Sequence, residues 1–512
     1  MNTDTTSADL ANRAIQGVSW TGLSQAVTQS CTWIISIILA RILGPSAYGL
    51  IGMIAVFTSF AMIFSGLGFC VAIVQRKELE ERHLSTAFWM NLGTGTLVTL
   101  VIFGLAPLMA RFYHEPLLTP LTRVISLRFF LDSLAVVQSA LLRRQMRFRA
   151  LGGIQITSSI LSGVVALVMA LCGMGVWSLV ALTLAVALFP LPLLWTVARW
   201  RPAWAFDWKA GKELFAFSGP VVGLDIVTYW ARSLDTLLIG RFIGASALGI
   251  YSRASSLMLM PLTQVSTVIG NVMIPALSSI QDDKVRVRRS YLKAVRLIGF
   301  ITFPMMVGLF VVSDHLILAL LGAKWRAVIP ILRIMCGIGL MQPVWRGDWI
   351  CICQGRAGLY FNIGVVASVA FAIAFLIGFH WGITGMAWAY LICYLTILYP
   401  TWAVAARIID LTFKEAARVL SPVFFCALSM GAVVFGLRWL IPSSMPDWVH
   451  LAVEVVAGGL VYFSLVIGFR LKAWEEGRLA LGKMLEGKLD TMKGLLLRSR
   501  PASLRPAAGK VP

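Results

Sequence analysis

The chain has 512 residues, 58% of them hydrophobic and 13% charged, with a net charge of +21. Soluble globular chains are about half apolar and about a quarter charged, so a wholly water-exposed surface is excluded and one facing lipid fits. The basic residues recur in short runs between apolar stretches instead of gathering on one polar module, which excludes a nucleic-acid-binding class and reads as a topology signal.

Residues 1–17 are polar and the apolar stretch after them is long enough to span, so an uncleaved first helix is expected rather than a signal peptide. Crossing a bilayer as a helix takes about 20 mostly apolar residues. Fourteen stretches qualify: 18–40, 49–74, 86–109, 121–142, 151–172, 176–198, 214–240, 249–275, 297–321, 328–352, 359–379, 383–406, 419–441 and 449–469. Lipid offers no partner for unpaired backbone groups, so these are read as helices and the class as an all-α membrane protein. With the N-terminus in the cytoplasm, cytoplasmic segments carry 32 Lys and Arg and the opposite loops five, Arg41, Arg111, Arg241, Lys324 and Arg326. That bias predicts an even number of spans with both termini cytoplasmic.

The chain also repeats itself. Residues 40–50 read ARILGPSAYGL and residues 240–250 read GRFIGASALGI, so Arg41, Gly44, Ser46, Ala47 and Gly49 match Arg241, Gly244, Ser246, Ala247 and Gly249 at one offset without a gap. Six helices separate the copies, which predicts a parallel repeat with an axis along the membrane normal. The expected organisation is a lobe over 1–200, a second over 201–410, two further spans over 411–470, and a tail over 471–512. In the tail, Trp474, Leu481, Leu485, Met492 and Leu496 fall near one helical face away from Lys483, Lys488 and Lys493, which reads as an amphipathic helix on the anionic inner leaflet or a docking helix. The eight cysteines are read as small buried residues, and neither a metal site nor a cofactor is expected.

LARILGPSAYGLIGM (39–53), SLDTLLIGRFIGASALGIYSRASSLMLMPL (233–262), FSGLGFCVAIVQRKEL (64–79) and IPALSSIQDD (274–283) resemble the polysaccharide transporter family, near its colanic-acid branch of Wzx-type flippases. The resemblance implies the multidrug/oligosaccharidyl-lipid/polysaccharide exporter fold, two six-helix lobes around a cavity plus two further helices. It implies as substrate an undecaprenyl-pyrophosphate-linked oligosaccharide, and as partners polymerase and chain-length proteins of the same pathway. The related lipid II flippases carry an arginine in the first helix, where this chain has Gln16, Gln25 and Gln29.

Charges inside spans are costly and tend to face a cavity or pair with one another. Arg128 and Asp132 lie one turn apart; Arg232 and Asp235, with Asp225, mark one side of the seventh span; Arg253 follows in the eighth and Arg346 in the tenth. Two readings stand: ion pairs that lock helices together, or a hydrated cationic cavity in which Arg128, Arg232, Arg253 and Arg346 bind a pyrophosphate, whose geometry the guanidinium fork matches. Asp132, Asp225 and Asp235 are candidates for a coupling proton or sodium ion. Gln25, Gln29, Gln264 and Asn271 are candidates for sugar hydroxyls, or for interhelical hydrogen bonds. Arg438 and Arg333 lie near span ends and are expected to reach water, and Glu454 to bond between helices. A cation-coupled drug exporter and a membrane polymerase are the rival functions. The short external loops speak against the polymerase, and no catalytic residue is assigned.

Overall fold

The computed structural model describes residues 7–65, 73, 80–204, 207, 229–230, 233–344, 346–442, 444–472 and 474, with only the backbone of 7–19, 65 and 357. The elements are α1 (Ser7–Ile42), α2 (Pro45–Ser65), α3 (Glu81–Tyr113), α4 (Leu118–Ser133), α5 (Val136–Arg144), α6 (Phe148–Leu171), α7 (Trp177–Leu188) and α8 (Pro190–Ala198). After a π-helical turn at Ile239–Ile243 come α9 (Ala245–Ser278), α10 (Lys284–Leu320), α11 (Val328–Met341), α12 (Gly347–Cys353), α13 (Ala357–Gly378), α14 (Gly382–Ala406), α15 (Phe413–Leu437) and α16 (Asp447–Gly468). No strand occurs among the described residues.

Eleven helical stretches among the described residues are long and apolar enough to cross a membrane, and the longest, Gly358–Ile409, is divided at Phe379–Trp381 into α13 and α14. The expected span 328–352 is not continuous. It breaks between α11 and α12, where Pro343 lacks a backbone donor and disfavours helix at Gln342, and Arg346 caps the second piece. Most of the expected span 214–240 and of the amphipathic tail lies outside the described residues.

The chain falls into two compact units. One comprises Met1–Met260, Ser313–Ile338 and Gly358–Ile397; the other comprises Pro261–Val312, Gly339–Ala357 and Leu398–Pro512. In the first, α1 packs on α6, and α3 on α4. The α3–α4 seam carries the polar bonds that an apolar solvent makes specific: buried Asn91 donates to the Ser133 carbonyl at 2.9 Å and Thr99 to that of Ser126 at 3.1 Å. In the second, α15 packs on α16, and Tyr462 donates to the Phe300 carbonyl at 2.8 Å. Capping boxes start α3 (Glu80 with His83) and α15 (Thr412 with Glu415), which satisfies first-turn amides where each chain enters its span.

Candidate functional site

The two copies of the repeat meet inside the first unit. Helices α2 and α9 begin at Pro45 and Ala245, in the same register of the repeat. A Cβ on Gly49 would overlap the carbonyl oxygen of Ala245, and a Cβ on Gly249 would overlap that of Pro45. The contact is reciprocal: residue 49 meets 245 as 249 meets 45. Glycine is required at both positions because the obstacle is backbone, which cannot turn aside as a side chain can. The matched arginines follow the same exchange. Arg41, on the last turn of α1, donates to Ala319 near the end of α10 at 3.2 Å, and Arg241 lies against His114, just past the end of α3.

The joint is closed further by the link after α10. Trp325 donates to the Ala40 carbonyl at 2.7 Å and Lys324 to that of Ile42 at 3.2 Å, which satisfies carbonyls that α1 leaves open at its C-terminus. Beneath this cover lies Arg253. Its two terminal nitrogens donate to the Ser36 hydroxyl at 2.9 Å and the Ser36 carbonyl at 2.8 Å. Its guanidinium carbon stands 4.9 Å from the Tyr48 ring centre and 5.8 Å from that of Trp325, within cation–π reach of both. Its Nε has no hydrogen-bond partner. Arg253 lines a cavity of 210 Å³ with Thr32, Ser36, Ser256 and Met260. That volume admits a phosphate-sized group and falls short of the roughly 300 Å³ or more typical of small-molecule sites.

The other predicted residues are distributed unevenly. Arg128 pairs with Asp132 at 3.1 Å, both side chains about one-third exposed (31% and 32%), and does not line the Arg253 cavity. Arg232 and Asp225 lie outside the described residues. The Asp235 carboxylate accepts from the Thr236 amide at 2.6 Å and its hydroxyl at 3.1 Å. Gln29 reaches the sulfur of Met260, which lines the same cavity, at 3.7 Å, while Gln25 is exposed. In the second unit, Arg346 lies 3.9 Å from Asp348 and donates to Gln342 at 3.2 Å, and Gln264 and Asn271 are exposed.

Arg438, expected near a span end, donates to Glu454 at 2.9 Å, with side-chain exposures of 16% and 0%, while Arg333 reaches Asp314 at 2.6 Å and keeps 35% of its side chain exposed. The sequence reading also missed the aromatic lining of Arg253, because Tyr48 and Trp325 are 277 positions apart, and a second cluster in which Trp230 stands 5.0 Å from Phe60 and 6.2 Å from Phe57. Only the repeat signalled where Arg253 would sit.

The family described as Polysaccharide biosynthesis protein matches residues 38–330. The chain is 29% identical to the teichuronic acid biosynthesis protein TuaB of Bacillus subtilis (strain 168), over 90% of this chain and 96% of that protein. It is 28% identical to the lipopolysaccharide biosynthesis protein WzxC of Escherichia coli (strain K12), over 72% and 76%, and 26% identical to the succinoglycan biosynthesis transport protein ExoT of Rhizobium meliloti (strain 1021), over 89% and 93%. Among solved structures, the fold matches the lipid II flippase MurJ with a TM-score of 0.70 at 14% identity, covering 88% of this chain and 98% of that one. It matches an inward-facing multidrug resistance MATE family transporter with a TM-score of 0.60 at 13% identity, covering 76% and 98%.

Proposed function

The chain belongs to the polysaccharide biosynthesis protein family, and from that premise we propose that it is a flippase for a lipid-linked oligosaccharide in the bacterial inner membrane. The substrate in this reading is an undecaprenyl-pyrophosphate-linked repeat unit bound for exopolysaccharide, O-antigen or capsule. The headgroup crosses through the protein while the lipid tail stays in the bilayer. Fourteen spans, lobes over 1–200 and 201–410 with two further spans over 411–470, and both termini in the cytoplasm belong to the same proposal.

The observation that carries it is the reciprocal joint at Gly49 and Gly249 with a half-buried arginine beneath it. Two matched helix starts that meet backbone to backbone at Gly49 and Gly249 make the kind of discrete contact that alternating access by rocking lobes uses. Arg253 then becomes the cation met by a pyrophosphate once the joint parts and the 210 Å³ cavity widens. Ser36 holds the guanidinium beside the Tyr48 and Trp325 rings until then, so it is oriented before substrate arrives. Arg128, paired with Asp132, acts in this reading as a structural cation, and Asp235 remains the candidate for ion coupling.

The experiment is deletion of the gene in its host, followed by assay of the lipid-linked repeat unit on each face of the inner membrane. Accumulation on the cytoplasmic face, reversed by the intact gene, is expected. Normal polymer with no accumulated precursor removes the flippase reading and leaves the drug exporter, which rests on likeness of fold.

A further inference from the structure

The span Leu118–Arg144 breaks into α4 and α5 at Leu134 and Ala135, although no proline or glycine lies between Arg123 and Arg144. A helix breaks without those residues where a foreign group enters its hydrogen-bond ladder, and two side chains do so here. Asn91 of α3 donates from its amide nitrogen to the Ser133 carbonyl at 2.9 Å, and Trp195 of α8 from its indole nitrogen to the Leu134 carbonyl at 3.2 Å. In a continuous helix those two carbonyls accept from the Val137 and Gln138 amides. The ladder tightens at the break instead: the Leu134 amide bonds to the Leu131 carbonyl at 3.1 Å and the Ala135 amide to that of Asp132 at 3.0 Å. Asn91 is buried and its amide oxygen has no partner among the described residues, so its polarity is spent on Ser133. Gly95, one turn further along α3, permits the approach, since a Cβ there would stand 2.6 Å from the Ser133 Cβ and 2.8 Å from the Phe129 carbonyl oxygen. Just past the break lies Gln138. It is fully buried, and neither atom of its amide has a hydrogen-bond partner among the described residues. Buried amides are nearly always bonded, so this conformation carries a cost that a different placing of α5 can relieve.

We propose that this break is a reversible hinge latched by Asn91 and Trp195. In a second conformation the Ser133 and Leu134 carbonyls return to the Val137 and Gln138 amides, and Leu118–Arg144 becomes one helix. The contrast with the span Trp177–Ala198 shows what makes it reversible. That span also breaks, between α7 and α8, but there Pro190 lacks the donor that would close the ladder. Val137 and Gln138 keep theirs, so closure exchanges two side-chain bonds for two backbone bonds at little net cost. It also unwinds the tight turn at Leu134 and Ala135, which rotates α5 about the span and gives Gln138 a new facing. The two halves of the span keep different company: α4 packs chiefly on α3 and α7, and α5 on α8 and α6. Straightening therefore shifts one set of helices in the first unit against the other, and the Trp195 bond ties that shift to α8. The hinge holds whichever substrate the protein carries and does not rest on the flippase reading.

The test uses the full purified chain in lipid nanodiscs, its native cysteines replaced, with spin labels at Leu127→Cys in α4 and Arg143→Cys in α5, both exposed positions. A continuous helix sets these sites about 24 Å apart along its axis, and the broken span brings them nearer. Pulsed electron–electron resonance should show a shorter and a longer population. Asn91→Leu/Trp195→Phe should raise the ratio of longer to shorter about 5- to 150-fold, because two hydrogen bonds are lost from the broken form. Gln138→Leu should move the ratio the other way, since it removes the unbonded amide from the broken form. Thr99→Val deletes a bond of the same α3–α4 seam, to the Ser126 carbonyl, and should leave the distances as in the parent. One unchanged distance in both the parent and Asn91→Leu/Trp195→Phe overturns the proposal and leaves a break fixed by packing. An equal shift in Thr99→Val, or a shift of Gln138→Leu toward the longer distance, overturns it as well. Trp195→Phe alone keeps the ring and loses only the donor. It carries the test if the double variant is not monodisperse, with an expected shift of about 2- to 12-fold.

Discussion

Gly249→Ala tests the joint directly. The added Cβ overlaps the carbonyl oxygen of Pro45 and lies 3.1 Å from the Gly49 amide nitrogen, so both obstacles are backbone of α2. Overpacking costs about 1–3 kcal/mol, and with no flexible atom to yield, a value in the upper half, about 2–3 kcal/mol, is expected. If the joint forms in only one of two transport states, the whole cost falls on that state. The equilibrium then moves about 30- to 150-fold toward the parted state. The assay is the rate at which Thr32→Cys, on the wall of the Arg253 cavity, reacts in intact cells with a membrane-impermeant maleimide, the native cysteines having been replaced. Gly249→Ala should accelerate labelling, and Gly49→Ala should do the same because its Cβ meets Ala245 in the reciprocal way. Gly104→Ala, where a Cβ has nothing within 4 Å, is the control. Labelling of both glycine variants at the parental rate, at normal protein levels, refutes the idea that this contact opens and closes during transport.

Arg253→Ala should abolish export at near-normal protein levels, and Arg253→Lys should retain a part of it, since the charge survives and the planar fork to Ser36 does not; full export from the alanine variant removes the arginine from the mechanism. For Arg128 and Asp132 the opposite holds: Arg128→Gln/Asp132→Asn together should export near normally, and loss of export in that double variant would return Arg128 to the headgroup site. Glu454→Gln alone should lower stability by about 3–5 kcal/mol, because it removes the carboxylate that Arg438 meets at 2.9 Å at a site 16% exposed, while Arg438→Met/Glu454→Leu recovers most of it in thermal unfolding. Cysteines placed in 442–448 should label from outside intact cells and those in 281–296 should not; the reverse pattern inverts the topology.

Hydropathy, charge bias and repetition are properties that a chain carries locally, and the sequence alone makes them legible. The all-helical membrane class, the turn at 40–50 and its copy at 240–250 follow from spacing along the chain, whereas hydropathy reads 328–352 as one span and the break at Pro343 shows only in the structure. Arg128 and Asp132, one turn apart, pair as their spacing allows, but which charges pair between helices is not legible there. Arg438 and Glu454 are 16 residues apart, Arg333 and Asp314 are 19 apart, and Arg253 and Ser36 are 217 apart. Nothing in helical periodicity joins them, because periodicity says which residues share a face and not which face meets which. Tertiary packing makes that choice. In a medium with no water to fall back on, a buried guanidinium takes the acceptor that the facing helix brings within about 3 Å, and a helix start closes on another where both residues lack a side chain.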